Sequence, residues 1–237
     1  MDRRLAVGSG RAGGLDLFGL HWIAAAGIDR GRPVTTHWGL EARMREDWPS
    51  LALDTDRLVI EHSDLVTAGG LMAWIDLALV VIERLSGRAA MLETARHFVI
   101  DPGRRDQRRF RRFLPAMDHG DRAVLTAQHR IEARLDRPLM AADLALEVGL
   151  SLRSLQRRFH SATGYNLTGY QQALRIERAR DLLSETGRAV AAIAAEVGYS
   201  DLPAFHRVFS RHTGMTPGQY RRTQWSASTP PRPAQVR

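Results

Sequence analysis

The second half of this 237-residue chain contains an internal repeat, which limits that half to two similar helical units. Six positions within 142–149 match positions within 191–198 at an offset of 49 residues. A further eight positions within 151–170 match positions within 201–220 at an offset of 50. Self-similarity at a fixed period is typical of one supersecondary unit that is used more than once. We therefore expect the same short motif to fold twice.

Each copy carries the residues that end one helix and begin the next around a sharp turn. Gly149 and Gly198 permit a backbone conformation that residues with a Cβ rarely adopt. Ser151 and Asp201 follow, and their side-chain oxygens can accept a hydrogen bond from the first turn of the next helix. Each copy is thus predicted to fold as helix, turn and capped helix, the geometry of a helix-turn-helix.

The second helix of each copy has one apolar face and one polar face. Leu155 and Phe159 lie four residues apart, on one side of the helix, and Phe205 and Phe209 repeat this spacing in the second copy. The opposite face then points outward, and in a helix-turn-helix it would enter a major groove of DNA. The outward positions are Arg153, Gln156 and Arg157 in the first copy and Pro203, His206 and Arg207 in the second.

Several outward side chains suit the recognition of bases. Arg is suited to O6 and N7 of guanine, and Gln to N6 and N7 of adenine. Pro203 lies in the first helical turn, where it costs no helical hydrogen bond, but it offers a base no donor. The alternative is a plain helical repeat whose arginines are solvated. Ala145 and Ala194 favour the helix-turn-helix, because small side chains permit close helix crossing. The glycine turns and caps at matching places in both copies favour it as well.

The charge of the chain is unevenly distributed. Residues 1–102 hold 11 Arg and 14 acidic side chains, a net charge of −3, and residues 103–237 hold 23 Arg and 12 acidic side chains, a net charge of +11. This asymmetry indicates a polyanion-binding module attached to another domain. The segment Arg104–Arg112 alone holds six Arg. It predicts a linker, either a solvated connector or a supplementary contact to phosphate.

Composition excludes several classes of function. The chain has no Cys, which excludes disulfides, thiolate zinc sites and a cysteine nucleophile. Its nine His show no spacing typical of a metal site. No apolar run approaches the roughly 20 residues that a transmembrane helix needs, and we see no signal peptide at the start. We expect a cytoplasmic bacterial protein without cofactor or metal.

Helices of the second half can be placed from hydrophobic periodicity and helix-stop residues. The expected helices are 121–135, 140–147, 152–161, 167–184, 189–196, 202–211 and 216–224. The sequence of the first half predicts a mixture of helices and short strands instead. Its expected helices are 15–26, 38–47, 71–85 and 89–100, with strands at 57–60 and 65–68 forming a hairpin and a β-like segment at 33–36.

The second half also resembles a known family. The stretches VAAIAAEVGYSD at 190–201, FHRVF at 205–209 and GMTPGQYR at 214–221 closely resemble the signature of AraC-type transcriptional regulators. SLRSLQRRF at 151–159 resembles the first recognition helix of that family. The resemblance covers about 121–222 and implies a seven-helix domain with two helix-turn-helix units joined by a long helix. It also implies that the six outward residues face DNA bases.

The first half resembles the second part of a class I glutamine-amidotransferase-like domain of the PfpI type, which one branch of AraC-type regulators carries. The matching stretches are AAGIDRGR at 25–32, TTHW at 35–38, VTAGG at 66–70 and IDLAL at 75–79. The family domain is nearly twice as long, and Leu17-Phe18-Gly19 stands where the enzymes place a nucleophilic Cys. The resemblance implies a partial flavodoxin-like fold without catalysis: a truncated sensor remnant, or a chain whose start was assigned too late.

Three weaker patterns favour ordinary structural roles. Gly8–Gly13 fits the dinucleotide fingerprint G-x-G-x-x-G, but too short a strand precedes it and no acidic residue is well placed. His37 beside Trp38 fits a strand-end His next to a core Trp better than a ligand site. His62, Ser63 and Asp64 are sequence neighbours and cannot converge as a catalytic triad.

Together these observations predict a sequence-specific DNA-binding transcription regulator that is not an enzyme. We expect a sensor remnant at 1–102, a linker at 103–118, a DNA-binding domain at 119–224 and a disordered tail at 225–237. Double-stranded DNA is the expected partner, and RNA polymerase, a small-molecule effector and a second copy of the chain are further candidates. Two alternatives stay open: an interaction remnant that no longer binds DNA, and an amidotransferase-like hydrolase.

Overall fold

A computed structural model describes residues 19–103 and 106–225, which fall into two compact units. The first unit spans 1–107 and the second 108–237, so the boundary lies inside the Arg-rich segment. The Gly8–Gly13 pattern, the Leu17-Phe18 pair and the tail after residue 225 lie outside the described residues.

The described part of the first unit combines helices with a small two-stranded sheet. Its helices are α1 (Gly19–Ala25), a 3-10 helix (Trp38–Leu40), α2 (Glu41–Asp47) and α3 (Trp74–His97), and its strands are β1 (Val59–Glu61) and β2 (Val66–Ala68). The strands pair antiparallel, with Ile60 opposite Thr67, which confirms the predicted hairpin. Helix α3 is interrupted at Gly87, where φ is 84° and ψ is 167°. This break separates the two helices that the sequence predicts there.

The structure does not confirm a flavodoxin-like sheet in this unit. Such a fold needs neighbouring parallel strands, whereas the parallel pairing among the described residues is one isolated bridge between Val34 and Leu53. The segment predicted as β-like at 33–36 is shortened to this bridge. A side chain takes up the next backbone donor, because the Thr67 hydroxyl accepts the Thr35 N–H at 3.0 Å.

Gln107 belongs to the interior of the first unit. Its side chain is 2% exposed. The amide nitrogen donates to the carbonyl oxygens of Thr36 at 2.8 Å and Arg57 at 3.0 Å, and the amide oxygen accepts the Trp38 N–H at 3.0 Å. Sequence reasoning missed this role because an Arg-rich segment predicts solvent exposure.

In the second unit, all regular secondary structure of the described residues 108–225 is helical, as the sequence predicts. Its helices are α4 (Arg122–Glu132), α5 (Ala141–Glu147), α6 (Leu152–Thr163), α7 (Leu167–Glu185), α8 (Val190–Glu196), α9 (Leu202–Thr213) and α10 (Pro217–Trp225). The expected seven-helix domain is therefore confirmed, with most helix ends within two residues of the prediction.

Two hydrophobic cores lie in this unit, one for each copy of the repeat, and α7 contributes to both. Leu167 and Tyr170, near the start of α7, pack with residues of α4, α5 and α6. Ile176 and Leu183, further along α7, pack with residues of α8, α9 and α10. Because one helix supplies both cores, the two copies of the repeat are joined by packing as well as by the chain.

A buried arginine anchors the segment that precedes α4. Arg180 is 2% exposed, and its guanidinium donates to the carbonyl oxygens of Arg108, at 2.9 Å, and of Arg111. Glu177 lies 3.0 Å from the same guanidinium. Burial lowers the pKa of Arg180 and raises the pKa of Glu177, and the attraction between the two charges opposes both shifts. Residues 108–113 are thus part of the second unit, where Phe113 packs on the Tyr170 ring.

This anchor predicts where an autonomous fragment must begin. A fragment of residues 108–237 should fold alone and unfold cooperatively in urea. A fragment of residues 119–237 should be less stable by about 3 kcal/mol, because it leaves the buried charge of Arg180 without two of its carbonyl partners. A longer fragment of residues 101–237 serves as the control and should gain no further stability. Equal midpoints for the two shorter fragments would contradict the anchor.

Candidate nucleic-acid interface

The first helix-turn-helix is formed by α5, a glycine turn and α6. Gly149 adopts a positive φ of 69° at the turn. Ser151 then caps α6, since its hydroxyl accepts the Ser154 N–H at 3.2 Å. Gly164 ends α6 in the left-handed conformation, with φ at 74°. Ser151 and Gly164 therefore fix the two ends of α6, because a side-chain cap favours the start of a helix and a left-handed glycine favours its end.

The second helix-turn-helix, formed by α8 and α9, repeats these features. Gly198 has a φ of 85°, and the Asp201 carboxylate accepts the Ala204 N–H at 3.0 Å. Pro203 lies in the first turn of α9, as expected, and Gly214 ends the helix with φ at 72°.

The two copies also share a threonine at the end of the recognition helix, whose hydroxyl bonds to two main-chain groups. Thr163 donates to the carbonyl oxygen of Phe159 at 2.7 Å and accepts the Tyr165 N–H at 3.2 Å. Thr213 makes the same two bonds, to Phe209 at 2.8 Å and from Met215 at 3.2 Å. The matched threonines of the sequence therefore have one shared structural role.

Aromatic packing decides which face of each recognition helix points outward. Phe159 is fully buried, and its ring meets Tyr170 edge-on with 5.1 Å between the ring centroids. Phe209 is equally buried and meets Tyr220 edge-on at 5.5 Å. These contacts hold the apolar face of each helix inward, and the opposite face is left for other contacts.

The predicted outward residues of α6 are exposed. Arg153, Gln156 and Arg157 all lie on the solvent face of the helix. Within the described part of the chain, no ion pair includes Arg153 or Arg157. Their guanidinium groups are therefore available to a ligand outside the chain.

The outward residues of α9 are less uniform. Pro203 and Arg207 are exposed, and Arg207 lies 3.8 Å from the carboxylate of Asp201, the residue that caps its own helix. His206 is half-buried beside the ring of Phe205. The second helix thus presents fewer free donors than the first.

Arg158 follows the exposed Arg157 on α6 but is half-buried and bonds to another helix of the unit. Its guanidinium makes two hydrogen bonds to the Asp121 carboxylate, at 2.7 and 2.8 Å, and so ties α6 to the beginning of α4. The Arg158 guanidinium holds the pKa of Asp121 below its usual value. Sequence reasoning missed this pair, because an RR dipeptide does not reveal which arginine faces the protein.

The turn glycines differ in the space around them. A Cβ at Gly198 would lie 2.5 Å from the nearest guanidinium nitrogen of Arg175 and 2.7 Å from the Leu135 carbonyl oxygen. At Gly149 the equivalent position has no atom within 4 Å. The second turn is therefore in close contact with the rest of the unit, and the first turn is open.

This difference predicts unequal effects of the same substitution. Gly149→Ala should cost about 1 kcal/mol, because alanine is strained at positive φ. Gly198→Ala should cost about 3 kcal/mol, because the methyl group also collides with Arg175 and the Leu135 carbonyl. Urea unfolding of both variants measures the difference, and Gly149→Ala controls for the backbone strain. Equal losses would contradict the close contact at Gly198.

Two further features concern metal binding and membrane spans in the part of the chain that the structure describes. There, no three His, Cys, Asp or Glu side chains come together in a group that could hold a metal ion. Over the same residues, no helix is both long enough and apolar enough to cross a membrane.

His37, which the sequence places beside Trp38, has a structural role. Its ring nitrogen accepts the Gly39 N–H at 3.0 Å and so caps the 3-10 helix, and burial lowers the pKa of His37.

Comparison with known proteins agrees with this geometry. A family model described as a helix-turn-helix domain matches residues 144–223. The HTH-type transcriptional regulator GbdR of Pseudomonas aeruginosa is 29% identical over 203 residues, which are 85% of this chain and 55% of GbdR. GlxA of Rhizobium meliloti, also an HTH-type transcriptional regulator, is 29% identical over 227 residues, 94% of this chain and 69% of GlxA. The chain thus spans little more than half of the length of GbdR.

Among solved structures, a transcriptional regulator from Chromobacterium violaceum, with an AraC-type DNA-binding domain, is 32% identical. The match has a TM-score of 0.41 and covers 43% of this chain and 91% of that one. The family model and the regulators above, together with the two capped repeats, lead to one conclusion. Residues 144–223 of this chain form a helix-turn-helix domain, and this domain resembles those of AraC-type regulators.

Proposed function

We propose that this chain is a sequence-specific DNA-binding transcription regulator and not an enzyme. The observation that carries the proposal is the pair of capped recognition helices, α6 and α9, whose polar faces point away from two separate cores. In this proposal, residues 119–224 bind double-stranded DNA, and the two helices enter successive segments of the major groove. Relatives with the same domain are named transcriptional regulators, which supports this function.

Base recognition is assigned mainly to α6. Arg157 and Arg153 can each donate two hydrogen bonds to a guanine, and Gln156 can pair with an adenine. In α9 we assign one such contact to Arg207 and a single hydrogen bond to His206. Pro203 contributes shape but no donor.

Affinity in this proposal comes from the arginines of the second half. Residues 103–237 carry a net charge of +11, and neutralising phosphates releases the counterions that surround DNA. These contacts hold the protein in register on the duplex, while the exposed faces of α6 and α9 supply the sequence information.

The first unit is proposed to be the sensor part of the regulator. The similarity to GlxA extends over 94% of this chain and so includes this unit. We propose a relation to the amidotransferase-like domain, with RNA polymerase, a small-molecule effector and a second copy of the chain as further partners. A hydrolase of that type would need its cysteine nucleophile, and the chain has no Cys.

A gel shift with fragments of bacterial genomic DNA tests whether the chain binds an operator, and the same experiment gives the salt dependence. Each phosphate contact should contribute a slope of about −0.9 to the plot of log affinity against log salt concentration. We therefore expect a steep loss of affinity as salt rises. Binding that does not change with salt, or no binding to any fragment, would contradict the proposal.

Substitutions on the two helices should have different effects on specificity. Gln156→Ala and Arg157→Ala should each relax the preference at one or two base pairs, at a cost of roughly 1–3 kcal/mol per base pair. Arg207→Ala should also weaken binding, but should change fewer base preferences, because α9 presents fewer donors. Binding selection on randomised DNA measures each profile.

Arg178→Ala is the matched control for this selection. Arg178 is an exposed arginine on α7, outside both recognition helices, and lies 3.9 Å from Glu196. Its removal should leave every base preference unchanged. If Arg207→Ala altered the preference at more positions than Gln156→Ala and Arg157→Ala together, the assignment of roles to the two helices would be wrong.

A further inference from the structure

Arg175 occupies the place on α7 where the two cores meet. Tyr170 precedes it and belongs to the first core, and Ile176 follows it and belongs to the second. Although its side chain is charged, Arg175 is only 9% exposed. A charged side chain is buried in this way when it is fully engaged in hydrogen bonds.

On one side, Arg175 holds the loop between α4 and α5. Its Nε donates to the Leu135 carbonyl oxygen at 2.7 Å, and a terminal nitrogen donates to the Arg137 carbonyl oxygen at 2.8 Å. Gln171, one turn earlier on the same face of α7, donates to the same Arg137 oxygen at 3.0 Å. This loop leads directly into α5 and therefore into the first helix-turn-helix.

On the other side, Arg175 contacts the turn of the second helix-turn-helix. The guanidinium lies 5.5 Å from the centre of the Tyr199 ring and leaves no room for a Cβ at Gly198. Tyr199 in turn meets Phe205 of α9, with 5.3 Å between the ring centroids. One guanidinium thus connects the approach to α5 with the residue against which the second recognition helix packs.

We propose that Arg175 is a positioning residue that sets the orientation of α9 relative to α6, and thereby the spacing between the two DNA sub-sites that the protein accepts. This inference rests on the proposed DNA-binding function. Arg175 lies on neither recognition face, so its removal should leave the base preference within each sub-site intact. What should change is how strictly the protein discriminates between sub-sites placed at the native spacing and sub-sites moved by one base pair.

The test uses the full chain with Arg175→Met, which keeps an unbranched apolar stem and removes the guanidinium with its donors. Affinity is measured for DNA with the native spacing and with one base pair inserted or deleted between the sub-sites. Coupling changes of this kind are worth roughly two- to thirtyfold in affinity ratio. We expect the preference for the native spacing to fall by that factor, with base preferences unchanged. Arg178→Met, on the same helix, is the control and should keep the spacing preference of the wild type.

Arg175→Lys provides a second variant in case the first fails to fold. Lysine keeps the charge and can donate to one of the carbonyl oxygens, so its spacing preference should lie between those of the wild type and of a complete loss. A variant that keeps the full spacing preference, or that loses affinity equally at every spacing, would overturn the proposal. A wild type without any spacing preference would overturn it as well.

A measurement without DNA separates this inference from the proposed function. The chain has no Cys, so Ser161→Cys on α6 and Arg211→Cys on α9 provide two unique sites for spin labels. Pulsed electron paramagnetic resonance should give a narrow distance distribution with Arg175 present and a broader or shifted one with Arg175→Met. An unchanged distribution overturns the positioning role, whether or not the protein binds DNA. Failure of the wild type to bind DNA, with a changed distribution, would overturn only the DNA-binding function and the spacing that depends on it.

Discussion

The shared helix α7 is the constraint on which the architecture of the second unit depends. Its first residues, Leu167 and Tyr170, complete one core, and Ile176 and Leu183 complete the other. At about 1.5 Å per residue, its 19 residues span roughly 28 Å. Successive major-groove segments on one face of DNA lie roughly 34 Å apart. Under the proposed function, this helix, which packs into both cores, sets the separation between the two recognition helices.

The features that the sequence predicts well are those that local chemistry decides. Ser151 and Asp201 cap their helices through bonds to residues three positions away, and Gly149 and Gly198 adopt the positive φ that other residues avoid. Such features need no knowledge of distant segments. The buried arginines are different, because Arg180 bonds to carbonyl oxygens about 70 residues earlier in the chain. Their charge predicts solvent exposure, and only the fold shows which main-chain groups they satisfy.

In the first unit, short apolar runs predict the local hairpin but not a larger sheet. The hairpin of β1 and β2 forms as expected, because both strands and their turn are adjacent in the sequence. A larger parallel sheet would depend on pairing between distant segments, and here the hydroxyl of Thr67 takes the Thr35 donor that such pairing would use. Gln107 is also buried against expectation, because the Arg-rich sequence around it predicts exposure to solvent.

The two helix-turn-helix units are alike in backbone but are held by different contacts. In the first, Arg158 of α6 bonds to Asp121 at the beginning of α4, and in the second, contacts lie at the two ends of α9. Arg175 contacts the turn before α9, and Arg180 donates to the His212 carbonyl oxygen at its end, 3.3 Å away. The turn at Gly149 has open space instead. Under the proposed function, contacts at both ends of α9 suit this helix to positioning the protein on DNA. The first helix presents three exposed polar donors and is suited to reading bases. Under the proposed function, both the exposed residues of the two helices and the contacts that hold them favour different tasks for the two units.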